Sequence, residues 1–294
     1  MMDLLLKNAN VIFVDSSRIS IFDILIRNDR IETIAKNIRT EQAEIIDCSN
    51  KWVMPGLIDM HVHIKESFAP LFTAAGITTV RNTSGSILEL EGMMNAEVSA
   101  MTPRVITSDR LIDGPPGLWG PTSPYSINID DVESAKGEVK RQVELGAELI
   151  KVYGLLDTEI MKTVCEESAK YNKDVSADLV YSSNVNALEA AKVGVKWLEH
   201  ASGILQMVYP DWSMKADTDV WSRIDWNNFD NNKIKEICSE LLEYDAKLCP
   251  TITLYDQGYL DDKPWKPNNA IIDKLEENTG LINQWKYIMQ SGHM

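Results

Sequence analysis

Two histidines separated by a single residue, His61 and His63 in the segment DMHVHI, are the sharpest chemical signal in the chain. In a β-strand, residues i and i+2 project to the same face, so both imidazoles enter one space. Two neutral imidazoles converging at a strand end are a good start for a divalent transition-metal site. The spacing alone also fits two satisfied core histidines. The surrounding elements have to decide.

Those elements change rhythm along the chain. In residues 1–53, DLLLKNANVIFV and DILIRNDRIETIAKNI alternate apolar and polar positions as half-buried strands do, with Asn28-Asp29 as a hairpin turn. This stretch is expected to be a piece of a small β-sandwich attached to something larger. From residue 54 to 294, past Pro55-Gly56, short β-rich segments such as LIDMHVHI, ITTVRNTSG and AELIKVYG alternate with helical ones such as DVESAKGEVKRQVELG and TEIMKTVCEESAKYN. Such repetition implies a parallel sheet with helical crossovers, and seven strands of this kind can be counted. An open doubly wound sheet of the nucleotide-binding kind would place a Gly-rich phosphate loop after its first strand, and none is there. A TIM-type (β/α)8 barrel, incomplete at about seven strands, fits better, because the chemical residues fall at the C-terminal ends of several strands.

Two segments interrupt the pattern. Residues 113–125, DGPPGLWGPTSPY, read as a rigid Pro/Gly loop after the third strand, and residues 209–230 carry Trp212, Trp221 and Trp226 after the sixth. Both would lie on the catalytic face, where loops set specificity, with packing within the loop as the alternative role for the tryptophans.

Composition narrows the function classes. The 294 residues carry a net charge of −15, which argues against nucleic acid or an anionic membrane as partner. No apolar run approaches 18 residues, and Met1–Val14 lacks the basic region and cleavage site of a signal peptide. Cys48, Cys165, Cys238 and Cys249 are far apart and form no C-x-x-C pair, as expected of reduced thiols in a cytoplasmic protein.

The β-rich segment ending in VMPGLIDMHVH resembles the way members of the amidohydrolase superfamily lead into their barrel. The resemblance spans most of the chain. TTVRNTSG, IKVY and LEHASG look closest to the imidazolonepropionase-like and prolidase-like branch. It implies a metal-dependent hydrolase of amide, cyclic amide or peptide-type C–N bonds, acting on a small molecule through a metal-activated hydroxide. One or two divalent ions are implied, zinc first and manganese or iron next. His61 and His63 would hold the first metal. Lys151 in LIKVYG stands where the family often carries a lysine carboxylated by CO2 to a bridging carbamate. Flanked by Leu149, Ile150 and Val152, this lysine is costly to bury when charged, and carboxylation removes that cationic charge. Snorkelling to solvent at a strand edge is the alternative. His200 in LEHASG takes a further ligand position.

The fifth strand departs from the family pattern, with Asp178 where many members have histidine. A carboxylate can coordinate zinc or manganese; otherwise one metal position is lost. Tyr153, on the face of Lys151, is a candidate substrate contact or an ordinary packing residue. Arg81 is a candidate partner for a substrate carboxylate or for a neighbouring acid. The chain reaches Met294 about where the family's eighth strand would begin, so the aspartate that takes the proton from the attacking water is not assigned, and His293 is expected to be solvated. A seven-stranded barrel leaves two unpaired edges. Either the chain is a fragment of a longer enzyme, the favoured reading, or a second copy, another chain or a rearrangement covers the gap. The rival function is a catalytically inactive barrel that binds a ligand or partner.

Overall fold

The computed structural model describes residues 3–182 and 184–254. The stretch NTGLINQWKYIMQ at 278–290, whose sequence reads as helical, and His293 lie outside them. The chain divides into two compact units, Met1–Leu57 with Glu97–Ala100, and Ile58–Ala96 with Met101–Met294.

In the first unit, β1 (Asp3–Phe13), β2 (Arg18–Arg27), β3 (Arg30–Ala35) and β4 (Ala43–Asp47) form a sheet in the order β3-β2-β1-β4, and the short β5 (Trp52–Val53) also pairs with β1. Asn28 and Asp29 have φ of 46° and 59°, the doubly left-handed pattern of a tight hairpin between β2 and β3. The Asp23 carboxylate accepts the backbone N–H groups of Asn8 and Ile38, both at 2.9 Å, and pins the irregular middle of β1. Ala9, Val11, Ile24 and Cys48 form its small core. The described part of the expected sandwich is therefore a single layer.

The second unit carries the alternating pattern. Strands β6 (Leu57–Val62), β7 (Ile77–Asn82) and β8 (Arg104–Thr107) form one sheet. A six-stranded sheet follows in the order β10-β9-β11-β12-β13-β14, built from β9 (Leu111–Asp113), β10 (Ser126–Asn128), β11 (Leu149–Tyr153), β12 (Asp174–Asp178), β13 (Trp197–Glu199) and β14 (Lys247–Cys249). Pairing is parallel from β11 through β14, and the Glu148 N–H donates to the Thr107 carbonyl at 2.9 Å to link the start of β11 with β8. Setting β9 and β10 aside, seven strands form the barrel wall among the described residues. The loop expected at 113–125 is more ordered than its composition suggests, because it starts on β9 and ends beside β10.

Period-two alternation explains what each strand does. Ile150 and Val152 of β11, Val175 and Ala177 of β12, and Leu198 of β13 belong to one buried cluster with helix residues. The helices are α1 (Ala69–Ala74), α2 (Ile87–Met94), α3 (Val132–Glu144), α4 (Thr158–Lys170), α5 (Ala187–Lys192), α6 (Ile204–Val208), α7 (Thr218–Arg223) and α8 (Asn231–Glu243); α2 adds Ile87 to that cluster, and the other buried helix residues in it come from α3, α4, α5 and α8. The alternate residues, Lys151, Ser176, Asp178 and Glu199, are equally buried but polar, and they face the other side of the wall. Asp131, Asp157, Asn186 and Asp230 cap α3, α4, α5 and α8 by accepting first-turn backbone N–H groups.

Two devices fix the loops at the strand ends. The Asp113 carboxylate accepts from the N–H groups of Gly114, Leu118 and Leu155, tying the Pro/Gly loop to the segment after β11. Any Cβ on Gly114 would meet the Leu155 carbonyl oxygen at 2.0 Å, so this close approach requires glycine. In residues 209–230, Trp212, Trp221 and Trp226 stack on one another with ring centroids 5.3 to 6.4 Å apart, and Tyr209 and Phe229 flank them. The tryptophans thus pack within their own loop. Cys48, Cys165 and Cys249 are buried and Cys238 is exposed, all as free thiols. Among the described residues no helix is long and apolar enough to cross a membrane.

On the buried face of α3, Glu138 accepts from Arg110 at 2.7 and 2.9 Å, from Arg141 and from Gln142. Burial pushes this carboxyl up, but those hydrogen bonds outweigh it and hold it at about 2. A carboxyl depressed from 4.5 to about 2 adds stability that is complete above pH 4.5 and is lost as pH falls toward 2. Glu138→Gln is expected to cost about 2 kcal/mol at neutral pH. Denaturant melts should show the gap between wild type and variant narrowing in acid; a gap unchanged by pH would refute this account.

Candidate metal-binding site

The polar face of the wall gathers the residues singled out in the sequence. His61 lies on β6, His63 just past its end, and His200 just past β13. The His61 ring centroid is 5.5 Å from that of His63 and 4.4 Å from that of His200. His200 and Ala201 adopt left-handed φ of 60° and 55°, which ends the strand, and the His200 N–H donates to the Cys249 carbonyl at 2.9 Å.

Each imidazole is anchored through Nδ1. His61 Nδ1 lies 2.7 Å from Glu199 Oε2, His63 Nδ1 3.3 Å from the Ser84 carbonyl oxygen, and His200 Nδ1 2.6 Å from Thr251 Oγ1. A carboxylate and a carbonyl only accept, so His61 and His63 donate there from Nδ1 and keep Nε2 as the lone-pair nitrogen. His200 directs Nε2 toward Asp178 Oδ2 at 3.5 Å. Burial lowers the His61 pKa to about 4, against the opposing hydrogen bond from Glu199, so this ring is neutral at physiological pH.

Lys151 is only 2% exposed, and its Nζ has no hydrogen-bond partner, so the snorkelling alternative does not describe it. The amine sits 5.6 Å from the Tyr153 ring centroid and acts electrostatically on His61 and His200. Burial holds it below the usual lysine range. Asp178 is 3% exposed and accepts the Val180 N–H through Oδ1 at 3.0 Å. Tyr153 is half-buried, its ring edge-on to that of the exposed Trp119 at 6.4 Å. Of the two partners open to Arg81, the structure supplies the acid. Its Nη2 donates to Glu199 Oε1 at 2.6 Å, its Nε donates to the Met60 carbonyl at 2.7 Å, and its guanidinium lies 4.5 Å from the Trp197 ring centroid.

Several site groups were not picked out from the sequence. Glu199 is fully buried and takes a third donor, the Ser176 hydroxyl. Burial pushes this carboxylate up, but the His61 hydrogen bond and the nearby Lys151 and Arg81 charges outweigh it and hold it at about 2. Cys249 brings its sulfur within 4.8 Å of ligand atoms of His61 and Glu199. Thr251 orients His200. Cys249 and Thr251 repeat the i, i+2 spacing of His61 and His63 at the next strand's end, and that spacing was the available signal.

The donor set suits a borderline divalent ion: anchored imidazoles, a buried carboxylate and a buried amine without an acceptor.

Comparison with known proteins bears on the fold that carries these residues. No protein-family profile matches the chain. A dihydroorotase of Lactococcus lactis is 36% identical over 106 residues, which is 36% of this chain and 25% of that protein. The matched stretch thus spans a quarter of the relative's own length. Among solved structures, a prolidase complexed with N-methylphosphonate-L-proline superposes with a TM-score of 0.64 at 18% identity, covering 98% of this chain and 76% of that one. An amidohydrolase superposes with a TM-score of 0.64 at 20% identity, with the same coverage. The chain thus shares its fold with that prolidase and that amidohydrolase, and 36% of its length is similar in sequence to a dihydroorotase.

Proposed function

We propose that this chain carries the metal centre of a hydrolase that cleaves an amide or cyclic amide C–N bond. The observation that supports this most is the unpartnered, buried Lys151 amine set among three imidazoles anchored through Nδ1. His61, His63 and His200 would hold one or two divalent ions, zinc foremost, with Asp178 in the position of a further ligand. When bound, such an ion lowers the pKa of water toward neutrality and polarises the scissile carbonyl.

The chain's own residues prepare the rest. Burial lowers the Lys151 pKa, which favours the neutral amine that would attack CO2. In that step the Nζ–C bond forms and a proton leaves to solvent, giving a carbamate anion that supplies the oxygen donors the amine lacks. Glu199 and Thr251 orient His61 and His200. Tyr153 and Trp119 would form an aromatic wall against the substrate, since Trp119 remains exposed beside the half-buried phenol. Burial also keeps the Tyr153 hydroxyl protonated, so it can donate a hydrogen bond and not act as a base. No proton acceptor for the attacking water is assigned among the described residues. The dihydroorotase and prolidase likenesses favour a cyclic amide or a proline-containing dipeptide as the bond to test first.

Elemental analysis of the purified chain should find stoichiometric zinc, manganese or iron, lost in His61→Ala/His63→Ala. Metal retained by that double variant, or absent from wild type after reloading with bicarbonate present, would sink the proposal. Lys151→Ala should bind metal at least tenfold more weakly, by analogy with the loss of supporting groups at other metal sites, and bicarbonate should raise the affinity of wild type but not of this variant. Asp178→Ala should weaken retention of an ion; unchanged metal content and affinity would remove Asp178 from the ligand set.

A further inference from the structure

Resting on the reading of His61 as a metal ligand, we propose that Glu199 is its positioning residue, itself held in place by Arg81 and Ser176. A carboxylate with no exposed surface, deep in a barrel wall, is expensive unless its charge and lone pairs are all answered. Here they are answered asymmetrically. Oε1 takes both Arg81 Nη2 and the Ser176 hydroxyl, while His61 Nδ1 lies 2.7 Å from Oε2. With one oxygen occupied by two donors, the carboxylate cannot rotate without breaking a charged pair, so its second oxygen stays aimed at the ring.

Arg81 closes the arrangement by gripping both partners. Its Nε donates to the carbonyl of Met60, the residue before His61, and its guanidinium lies over Trp197, two residues before Glu199. One side chain from β7 therefore spaces β6 against β13. Among the described contacts, His61 Nδ1 meets an ionised group, His63 Nδ1 a carbonyl and His200 Nδ1 a hydroxyl. An acceptor that carries charge and no proton makes Nδ1–H the favoured tautomer and leaves Nε2 basic, the state a metal needs. Arg81 thereby has its task inside the wall, and its charge is balanced by Glu199 without a substrate carboxylate.

The test reads tautomer and affinity separately. Long-range 15N NMR of the metal-free protein should show His61 as the Nδ1–H form, moving toward Nε2–H in Glu199→Gln. Cobalt affinity, measured by chelator competition, should fall about 10- to 100-fold in Glu199→Gln. Glu199→Asp, which keeps the charge, should keep the Nδ1–H form and recover most of the affinity. An Nε2–H tautomer in wild type overturns the proposal without any variant, so a failure of Glu199→Gln to fold does not shelter it. An unchanged tautomer and affinity in Glu199→Gln overturn it as well. A thiolate-to-cobalt band in wild type that disappears in both Cys249→Ala and Glu199→Gln would instead make Glu199 a direct ligand beside Cys249, and would overturn it too. If wild type binds no cobalt, the metal reading fails while the tautomer measurement still decides the role of Glu199.

Discussion

The polar side chains on the inner face of this wall are buried, so a charge placed among them is costly unless another residue answers it. Glu199 is the charge on which the remainder of this interior depends. It binds one cation, one hydroxyl and one imidazole, and these come from three other strands. Remove it and Arg81 becomes an uncompensated buried cation, while His61 loses the acceptor that orients it. Lys151, close by, has an aromatic ring for company and no acceptor. The interior is therefore neutralised around Glu199 and left without an acceptor around Lys151.

The outer face supports this asymmetry. Because strand residues alternate, Ile150 and Val152 anchor Lys151 from behind, and Ala177 and Leu198 do the same for Asp178 and Glu199. The helices contribute more than apolar cover. Glu138 on α3 reaches Arg110 in the excursion after β8, and Asp109 beside it accepts the first backbone N–H of α2 (Ile87–Met94) and pairs with Arg141. One polar network thus fixes where the third barrel strand ends and where its loop departs.

Much of this plan could be read from residue order, and the reason is geometric. Spacing of i and i+2 at strand ends reveals pairs on one face, which is how His61 and His63 stand out. The apolar flanks of Lys151 signal burial. Partnerships across the wall leave no such trace: His61 and Glu199 are 138 residues apart, and nothing local to either names the other. Glu199 adjoins His200 in the chain, yet the left-handed backbone at His200 that brings both side chains to His61 leaves no mark in the residue order. The strands β9 and β10 were hidden because three residues carry no period, and the Pro/Gly-rich stretch between them reads as loop. The carbonyl of Ser84 could not be foreseen from side-chain identity at all, since any residue would supply one.

The aromatic knot of residues 209–230 has a consequence for how such a protein can change over time. Trp212 is buried against its own loop partners, so the excursion brings along its own small core. A segment that stabilises itself can be lengthened, shortened or exchanged with little repacking of the wall beneath. Its tip can drift through many shapes while the histidine cluster at the strand ends stays as it is. What must stay fixed is thereby separated from what is allowed to vary, and the loop's outer surface can change while the wall beneath it is kept.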